Sequence, residues 1–376
     1  MNILALNVGS SSLKFRLFQI TPDAEKVLTE GTVERLDASA LPDAAQKAIE
    51  QCRPFGIDAV GHRVVQGGAR FFGPTRVTPD VLQDLHGLEE LDPLHNPTEV
   101  ALIEAAQRLL PAAPSVAVFD TAFHRTLPEV AWRYALPADL SDRLGLRRYG
   151  FHGISHRYVS GRLLDCLGRE PAGTRLITCH LGSGASVCAL LGGESVDTSM
   201  GLTPLEGLVM GTRSGDLDPG LLLYLLRTQC MTPEQLDDLL NHGSGLKGLA
   251  GRSDVRDLEQ AAGKGDKQAD MALEIFAYRV RKYLGAYAAA LGGLDAVAFA
   301  GGIGERGAGM RTRICRGLDF LGMSLDTDRN GAATGSKAAR ISAESGPTQV
   351  WVIPTDEERQ IAREVAALLQ SNVPGL

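Results

Sequence analysis

The sequence predicts an α/β protein of two domains, each a β-sheet with helices packed against it. Its 376 residues exceed the size at which a single hydrophobic core stops growing. Short apolar, β-prone runs alternate along the chain with segments of helical periodicity. A strand–turn–strand pattern near the N-terminus also recurs near the middle, which indicates that the two domains are copies of one design.

The recurring pattern is a hairpin closed by a glycine–serine turn. In the first copy, strands are predicted at 3–7 and 13–20 around a turn at 9–12. The second copy runs over 176–184 and continues through 186–191. Each turn can expose backbone N–H groups to an anion. Alignment of the two copies pairs Asn7 with His180, Gly9 with Gly182, and Ser10 with Ser183.

Helices and further strands follow from periodicity. Apolar residues that recur at intervals of three and four positions predict helices at Pro97–Leu110, Val159–Leu167 and Asp266–Tyr287. No low-complexity tract or long linker divides the chain, so the repeat places the boundary between the halves near residues 121–124. Short apolar runs predict strands at Ala113–Phe119, Ala296–Ala300 and Gln349–Ile353.

Composition and charge argue against several classes of protein. A net charge of −7 argues against binding to nucleic acid, which needs a basic surface. The start, Met1–Asn7, lacks the basic region of a signal peptide, and the longest apolar stretch, Tyr283–Gly304, is interrupted by Asp295 and glycines. We therefore expect neither secretion nor a membrane span. The cysteines form no CxxC pair and predict buried free thiols in the reducing cytoplasm: Cys52, Cys166, Cys179, Cys188, Cys230 and Cys315.

Glycine-rich segments point to a nucleotide. The segment Gly302–Gly307 fits the GxGxxG fingerprint and follows an apolar strand, so one hypothesis is an NAD-dependent dehydrogenase. That pattern is weak in a chain with 43 glycines, and no GxxxxGK[ST] P-loop is present. Gly-rich strand ends at 9–12, 182–186 and 301–304 together suit the phosphate chain of a nucleotide.

Several segments place a histidine or arginine beside a strand end or a turn. One such residue alone is more often structural than catalytic. Most of these segments are flanked by glycine or proline, and their number in one chain indicates a site. They are Gly61–Val65, Leu94–Pro97, Phe119–His124, Gly150–Gly153 and Met210–Arg213.

The order and spacing of these motifs resemble the acetokinase family from end to end. The resemblance implies a duplicated, actin-like ATPase fold of the ribonuclease H-like kind, with an active-site cleft between the domains, and a homodimer. We expect an N-terminal domain at 1–121 plus 359–376, and a C-terminal domain at 122–358 that carries most of the nucleotide site. The resemblance rests on Asn7–Lys14, Gly61–Val65, Pro93–Pro97, Phe119–His124, Tyr149–Gly153, His180–Gly182, Thr203–Leu208, Met210–Arg213, Gly301–Glu305 and Ile353–Glu358.

The activity implied by the resemblance is reversible phosphoryl transfer between ATP and acetate, which gives acetyl phosphate and ADP by direct in-line transfer. The implied cofactor is Mg²⁺, with Mn²⁺ as a substitute. A propionate or butyrate kinase is the alternative within the class, since one methylene in an apolar pocket contributes only about 1–3 kcal/mol. An actin-like nucleotide-binding regulator without catalysis is a further alternative, which the loss of a site arginine, histidine or glutamate would favour.

The same resemblance assigns roles to particular residues. Arg63 and Arg213 hold the carboxylate and the transferring phosphoryl group, because a planar guanidinium suits both. His152 donates to the phosphoryl oxygens in the transition state, and Asp120 orients an arginine or a metal-bound water. Surface salt bridges are the alternative for the two arginines.

The resemblance also implies residues that bind the metal and phosphate, the acid, and ATP. The apolar residues among those that would bind the acid could instead be ordinary core residues. The metal contacts are Asn7 and Glu357, with Glu358 as a second candidate beside it, and the phosphate contacts are Asn7, His95 and His180. The acid would be bound by Arg63, Val65, Leu94, Phe151 and Pro204. The ATP-binding residues are Lys14, His180, Gly182, Ser183, Gly184, Asp254, Val255, Arg256, Gly302, Ile303 and Gly304.

Three positions depart from the family pattern. Gln66 stands where the family has histidine, Ser183 where it has asparagine, and Arg306 where it has asparagine. We expect Gln66 to be a tolerated supporting residue and Ser183 to affect nucleotide affinity more than activity. Arg306 either alters the adenosine pocket or points to solvent.

Overall fold

The computed structural model describes residues 1–9, 12–34, 40–89, 91–92 and 95–371. Within it the chain divides into two compact units. Unit 1 comprises Met1–Arg125, Phe151–Tyr158 and Asp356–Leu376, and unit 2 comprises Thr126–Gly150 and Val159–Thr355.

Unit 1 is built on a mixed six-stranded sheet with the order β3-β2-β1-β4-β6-β5. Strands β1, β2 and β3 pair antiparallel, β1, β4 and β6 pair parallel, and β5 pairs antiparallel with β6. The strands are β1 (Asn2–Val8), β2 (Ser12–Ile20), β3 (Glu25–Glu34), β4 (Ala59–Val64), β5 (Thr75–Arg76) and β6 (Ser115–Phe119). The helices are α1 (Leu41–Cys52), α2 (Pro79–His86), α3 (Asn96–Leu109) and α15 (Glu357–Ser371).

Both faces of this sheet are covered, which explains why the middle of β1, Ile3–Leu6, is continuously apolar. Leu4 and Leu6 lie in a buried cluster with residues of α1 and α3. Their neighbours Ile3 and Ala5 lie in a second cluster with Ile361 and other residues of α15. Packing on both faces therefore fixes the positions of the parallel strands β1, β4 and β6 and of their ends.

Unit 2 contains a second mixed six-stranded sheet with the order β11-β12-β10-β7-β8-β9. Strands β7, β8 and β9 pair antiparallel, β7, β10 and β12 pair parallel, and β11 pairs antiparallel with β12. The strands are β7 (Arg175–Leu181), β8 (Ala185–Leu191), β9 (Glu194–Thr198), β10 (Ala296–Ala300), β11 (Ala339–Arg340) and β12 (Gln349–Val352).

The helices α4 to α14 complete the chain, and α6 has residues in both units. Short 3₁₀ segments occur at Arg53–Phe55, Asp120–Thr126 and Asp319–Leu321. The helices are α4 (Glu129–Trp132), α5 (Ala138–Leu144), α6 (Gly153–Leu167), α7 (Pro219–Thr228), α8 (Pro233–His242), α9 (Gly245–Ala250), α10 (Val255–Gly263), α11 (Lys267–Ala290), α12 (Gly301–Arg306), α13 (Ala308–Cys315) and α14 (Thr327–Ala332).

The two sheets confirm the predicted duplication. Read from the antiparallel edge, unit 1 has the order β3-β2-β1-β4-β6-β5 and unit 2 has the order β9-β8-β7-β10-β12-β11. Each strand of one sheet has a counterpart in the other, with the same sense of pairing. The hairpin β1–β2 corresponds to β7–β8, as the repeated glycine–serine turn predicts.

The predicted elements agree with the observed ones apart from their ends. Helix α6 begins at Gly153 rather than at Val159. Its first turn carries buried polar residues, Ser155 and His156, beside the core residue Ile154, so the apolar periodicity starts only later. No helix in the described ranges has the length and apolar character needed to cross a membrane.

The cysteines are free, but the prediction that all of them are buried is wrong. Cys166 is partly exposed and Cys230 is exposed. Cys230 directly follows α7, a helix without a buried residue, so its apolar neighbours in the sequence do not belong to the core.

Candidate active site

The predicted site residues divide between the two units. Leu94 lies outside the described residues. Unit 1 contains Asn7, Lys14, Arg63, Val65, His95, Asp120, Phe151, His152 and Glu357. Unit 2 contains His180, Gly182, Ser183, Gly184, Pro204, Arg213, Asp254, Val255, Arg256, Gly302, Ile303 and Gly304.

Arg63 and Asp120 form a buried ion pair at the ends of two parallel strands. Arg63 lies on β4, opposite Val118 of β6, and Asp120 follows the last residue of β6. The Arg63 Nη2 atom donates to Asp120 Oδ2 at 2.7 Å, and Nε donates to the same oxygen at 3.2 Å. Burial disfavours the charged guanidinium, but Asp120, Glu357 and Glu99 outweigh this effect and raise the pKa of Arg63. Arg63 is therefore a fixed cation.

His152 immediately precedes helix α6 and has an unusual backbone conformation. Its φ is 56°, which non-glycine residues seldom adopt, and its carbonyl accepts the N–H of His156 to begin α6. The next residue must be glycine, because a Cβ atom at Gly153 would overlap the carbonyl oxygen of Asp120. This close approach places the segment that carries Phe151 and His152 against Asp120. Phe151 is buried.

Asn7 meets two adjacent carboxylates at the start of α15. Its amide Nδ2 donates to Glu357 Oε2 at 2.9 Å and to Glu358 Oε1 at 3.0 Å. Burial and the neighbouring Glu357 raise the pKa of Glu358. Two carboxylates and an amide oxygen are ligands that suit Mg²⁺, which binds few protein groups and keeps waters or phosphate oxygens. In the described ranges no three His, Cys, Asp or Glu side chains are grouped as a metal site.

His95 and Lys14, a predicted phosphate contact and a predicted ATP-binding residue, lie in different parts of unit 1. His95 precedes α3, and its Nδ1 atom is 2.9 Å from Oδ1 of the buried Asp92. A carboxylate bonded to one ring nitrogen fixes the ring and leaves Nε2 as its other polar atom. Lys14 is exposed and pairs with Asn7 across the β1–β2 hairpin.

In unit 2, Arg213 and Pro204 come together. The Arg213 Nη1 atom donates to the Pro204 carbonyl oxygen at 3.3 Å. The turn that carries Arg213 is held by the start of α9, since Leu246 N–H donates to the carbonyl of Met210 at 2.9 Å and Lys247 N–H donates to that of Gly211 at 2.9 Å.

The glycine-rich segments of unit 2 are neighbours. Gly211 N–H donates to the Ser183 carbonyl at 3.1 Å, which joins the β7–β8 turn to the Arg213 segment. A Cβ atom at Gly301, whose φ is 73°, would lie 2.7 Å from the Leu181 carbonyl oxygen at the end of β7. The predicted convergence of glycine-rich strand ends is thus observed for the pair in unit 2. The third, at 9–12, belongs to unit 1, and residues 10–11 lie outside the described ranges.

Helix α12, which holds Gly302, Ile303 and Gly304, is fixed at both ends, by Glu305 of its own motif and by Arg311, which lies outside every predicted motif. At its start, Glu305 Oε1 accepts the N–H groups of Gly301 and Thr355, each at 3.0 Å. At its end, the fully buried Arg311 donates to the carbonyls of Gly304 and Glu305 at 2.9 Å.

Arg311 also binds α14. Its Nε atom donates to Asn330 Oδ1 at 2.7 Å, and Nη2 donates to the carbonyls of Asn330 and Ala333 at 2.7 and 3.0 Å. Burial lowers the pKa of Arg311 to about 10, and no ion pair to it is found in the described part of the chain. Its signal in the sequence is weak, because nothing nearby distinguishes it from a surface arginine.

The remaining predicted nucleotide residues lie at the start of α10. Asp254 caps this helix by accepting the Arg256 N–H at 2.8 Å, and it pairs with the exposed Arg256 side chain, whose hydrogen bonds lower the pKa of Asp254. Val255 is buried, so it contributes to the core of unit 2. Arg306 is exposed, which favours the solvent-facing alternative for that departure.

Comparisons with known proteins agree on one family. The family model described as "Acetokinase family" matches residues 39–363. An acetate kinase of Geobacillus kaustophilus is 45% identical over 394 aligned residues, which cover 97% of this chain and 98% of the relative. The crystal structure of Porphyromonas gingivalis acetate kinase superimposes with a TM-score of 0.89 at 39% identity, covering 98% of this chain and 99% of that one. A propionate kinase from Francisella tularensis has a TM-score of 0.88 at 38% identity, covering 96% and 98%.

Proposed function

Because this chain belongs to the acetokinase family, we propose that it is an acetate kinase. It transfers the γ-phosphoryl group of ATP to a carboxylate oxygen of acetate, giving acetyl phosphate and ADP, and it catalyses the reverse reaction. The observation that carries this proposal is the similarity to acetate kinases over nearly the whole chain. The buried Arg63–Asp120 pair supports it, as does the close approach of Gly153, the residue after His152, to the Asp120 backbone.

In the proposed reaction, arginine and histidine side chains bind the acid and the transferring phosphoryl group. Phosphoryl transfer requires mainly alignment and stabilisation of the negative charge spread over the phosphoryl oxygens. Arg63 binds carboxylate or phosphoryl oxygens, and Asp120 orients its guanidinium. Asp120 does not act as a base, because the acetate nucleophile carries no proton at neutral pH. His152 and Arg213 donate to the phosphoryl oxygens, and His95 adds a phosphate contact.

The unit 2 segments take the nucleotide. Gly182 N–H donates to the Gly184 carbonyl at 3.0 Å and so closes the β7–β8 turn. The backbone N–H groups of Ser183 and Gly184, with His180, bind phosphate oxygens, and the segments at 254–256 and 302–304 bind the adenosine. Lys14 of unit 1 adds a positive charge toward the phosphates. Hydrogen bonds from Glu305 at the start of α12 and from Arg311 at its end hold this helix in place. This supports the assignment, since a binding segment that is already ordered loses less entropy on binding.

We assign the metal site to Asn7 and Glu357, with Glu358 as a further candidate. The site would hold Mg²⁺, or Mn²⁺ in its place, which when bound neutralises charge on the phosphate oxygens. The contact of Asn7 Nδ2 with both carboxylates supports a metal site made of these residues. It favours neither Glu357 nor Glu358 as the metal ligand.

The residues around the acid would determine which acid is phosphorylated. Val65, Leu94, Phe151 and Pro204 would surround the methyl group of acetate. A propionate kinase among the similar structures favours propionate as the second candidate substrate. The NAD-dependent dehydrogenase finds no support in the comparisons, and the regulator without catalysis would require the loss of a site residue that this chain retains.

We also propose a homodimer that uses α7. No residue of this helix is buried, although its sequence is almost entirely apolar. Leu221, Leu223 and Tyr224 expose 40%, 59% and 52% of their surfaces. A contiguous exposed apolar patch of this kind is typical of a protein interface.

The free cysteines support a cytoplasmic location.

One assay tests the proposed function. The purified protein is incubated with ATP, Mg²⁺ and hydroxylamine, and the acyl phosphate is trapped as the hydroxamate with acetate, propionate or butyrate. We expect the highest kcat/KM with acetate and no acyl hydroxamate when ATP is omitted. Turnover confined to propionate would favour the second candidate, and no hydroxamate with any of the acids would contradict the proposal.

A further inference from the structure

The segment that follows β4 is bound by side chains from the first turn of α3. Val65 N–H donates to Glu99 Oε2 at 2.8 Å. Gln66 N–H donates to Asn96 Oδ1 at 3.2 Å, and Asn96 Nδ2 donates to the Gln66 carbonyl at 3.1 Å. Asn96 and Glu99 are three residues apart on one helix, so they present their side chains on the same face. One helical turn thus holds two consecutive residues of the backbone.

These side chains are buried. Asn96 and Gln66 are 0% exposed, and Glu99 is 2% exposed. A buried carboxyl group destabilises the fold unless its hydrogen bonds are made, and a buried N–H group without an acceptor does the same. Glu99 and the Val65 N–H therefore satisfy each other, and removal of either would leave a buried polar group without its partner.

The backbone from Val65 to Gly68 depends on side chains rather than on a strand. Strand β4 ends at Val64. Beyond it, Gly67 N–H donates to Thr121 Oγ1 at 3.1 Å, and Gly68 N–H donates to Gln66 Oε1 at 2.9 Å. The family departure at Gln66 is accommodated here, because its side chain caps a backbone N–H within the same segment. The position of Val65 is thus set from α3.

Arg63 lies in β4, and Val65, two residues later, is the first residue beyond the strand. The backbone conformation of Val65 therefore sets where its side chain lies relative to that of Arg63. In the proposed function Arg63 contacts the carboxylate or the phosphoryl group, and Val65 contacts the methyl group of the acid. A small displacement of the Val65 backbone relative to Arg63 would change the space available beyond the carboxylate. The hydrogen bonds from α3 oppose that displacement.

We propose that Glu99 and Asn96 are positioning residues that set the size of the acid the protein phosphorylates. They do so by fixing the backbone of Val65 and Gln66, and neither touches the reacting atoms. The inference rests on the proposed function, since it needs a carboxylic acid at Arg63. It goes beyond that function because it places the determinant of acid size in a helix behind the pocket.

The experiment compares Glu99→Ala with Glu99→Gln. Alanine removes the acceptor of the Val65 N–H, whereas glutamine retains an amide oxygen there at nearly the same reach. kcat and KM are measured for acetate, propionate, butyrate and ATP. We expect Glu99→Ala to shift the propionate-to-acetate ratio of kcat/KM by about tenfold toward propionate, the effect of roughly one methylene. Glu99→Gln should keep the propionate-to-acetate ratio of the parent. The KM for ATP should stay unchanged in both variants.

A matched control lies on the same helix. Glu104 is partly exposed and bonds the exposed His86, so Glu104→Ala removes a carboxylate from α3 without touching Val65. It should keep the parent ratio. If Glu99→Ala does not fold, Glu99→Asp replaces it, because the shorter side chain draws the acceptor back by one methylene, and the ratio should move in the same direction.

The outcomes separate the inference from the proposed function. An active parent whose acid ratio is unchanged in Glu99→Ala, or in Glu99→Asp, would overturn the inference and leave Glu99 a structural residue, even if the melting temperature fell. An equal shift in Glu104→Ala would overturn it as well. A folded parent that phosphorylates none of the acids would contradict the proposed function, and the inference would fall with it.

Discussion

Arg63 donates from both Nε and Nη2 to a single carboxylate oxygen of Asp120, at 3.2 and 2.7 Å. The pair is nearly excluded from solvent, with side-chain exposures of 13% and 1%. The contact uses one edge of the guanidinium, and Asp120 does not engage Nη1, which would donate to a substrate oxygen in the proposed function. The loss of Arg63 would therefore remove a preorganised positive charge and leave a buried carboxylate behind.

The substitution Arg63→Ala should lower kcat by about 10³–10⁵, the range for an arginine that stabilises a transferring phosphoryl group. The measurement is steady-state kinetics together with circular dichroism to confirm folding. Arg70→Ala is the matched control, because Arg70 pairs with Asp84 in the same unit but is largely exposed. Near-normal turnover of a folded Arg63→Ala protein would remove Arg63 from the proposed site.

The substitution Val65→Ala should favour propionate over acetate. It removes two methyl groups from the wall that the acid faces in the proposed pocket. The propionate-to-acetate ratio of kcat/KM should rise by about 10-fold, and at most about 200-fold. If Val65 only fills the core, the variant will be less stable by roughly 1–3 kcal/mol with the ratio unchanged, and the pocket assignment of Val65 would be wrong.

The substitution Arg311→Met should destabilise unit 2 and weaken nucleotide binding. It leaves the carbonyls of Gly304, Glu305 and Ala333 without a donor, which should cost about 3–5 kcal/mol in the free energy of unfolding. Denaturant unfolding and the KM for ATP report the two effects. Arg306→Ala, an exposed change at the end of the neighbouring helix α12, should alter the free energy of unfolding by less than about 0.5 kcal/mol. Equal effects of the two substitutions would contradict the role given to Arg311.

The stability of the protein should carry a pH dependence from Glu99. Burial raises the pKa of this carboxyl from 4.5 to about 8, Arg63 and the Val65 N–H oppose that shift, and Asp92 and Asp120 add to it. The folded chain therefore keeps a proton that the unfolded chain releases. The resulting stabilisation is fully present below pH 4.5 and is lost as the pH rises toward about 8.

The variant Glu99→Gln lacks this titration. The melting temperature of the parent relative to that of Glu99→Gln should fall as the pH is raised from about 5 to 8, and it should level off above that range. Scanning calorimetry at matched ionic strength measures the difference. A difference that stays constant with pH would show that Glu99 has the same protonation in the folded and unfolded chains.

The exposed face of α7 should hold two copies together. A charge placed there opposes burial, so the double substitution Leu223→Glu with Tyr224→Glu should convert a dimer into a monomer with unchanged secondary structure. Analytical ultracentrifugation gives the mass of each. Val130→Glu is the control, because Val130 is 93% exposed on α4 of the same unit. A monomeric parent, or a double variant that stays dimeric, would contradict the proposed interface.

Local patterns in the sequence were sufficient for much of the fold. The hairpins β1–β2 and β7–β8 follow from alternation and glycine–serine turns, and the matching sheet orders confirm the duplication that these hairpins suggested. The pairing of Arg63 with Asp120 is a consequence of this topology, because the ends of the adjacent parallel strands β4 and β6 bring both residues to the same edge.

Contacts between distant parts of the chain could not be predicted in this way. Glu99 is separated from Val65 by 34 residues and Arg311 from Asn330 by 19, and nothing in their immediate sequence marks them as buried. The error at Cys230 has a similar origin, because an apolar run does not reveal whether it lies in the core or on an exposed helix. Burial of polar groups depends on which elements pack together, and that is a property of the fold.

Phosphoryl transfer between ATP and a small carboxylate is best measured in the direction of ATP synthesis. The purified protein is mixed with acetyl phosphate, ADP and Mg²⁺, and the ATP formed is measured against time with luciferase, with Arg63→Ala as the paired sample. We expect stoichiometric conversion of acetyl phosphate and ADP to acetate and ATP by the parent, slowed by about 10³–10⁵ in the variant. Equal rates in both samples, or no ATP from a folded parent that binds ADP, would contradict the proposed function.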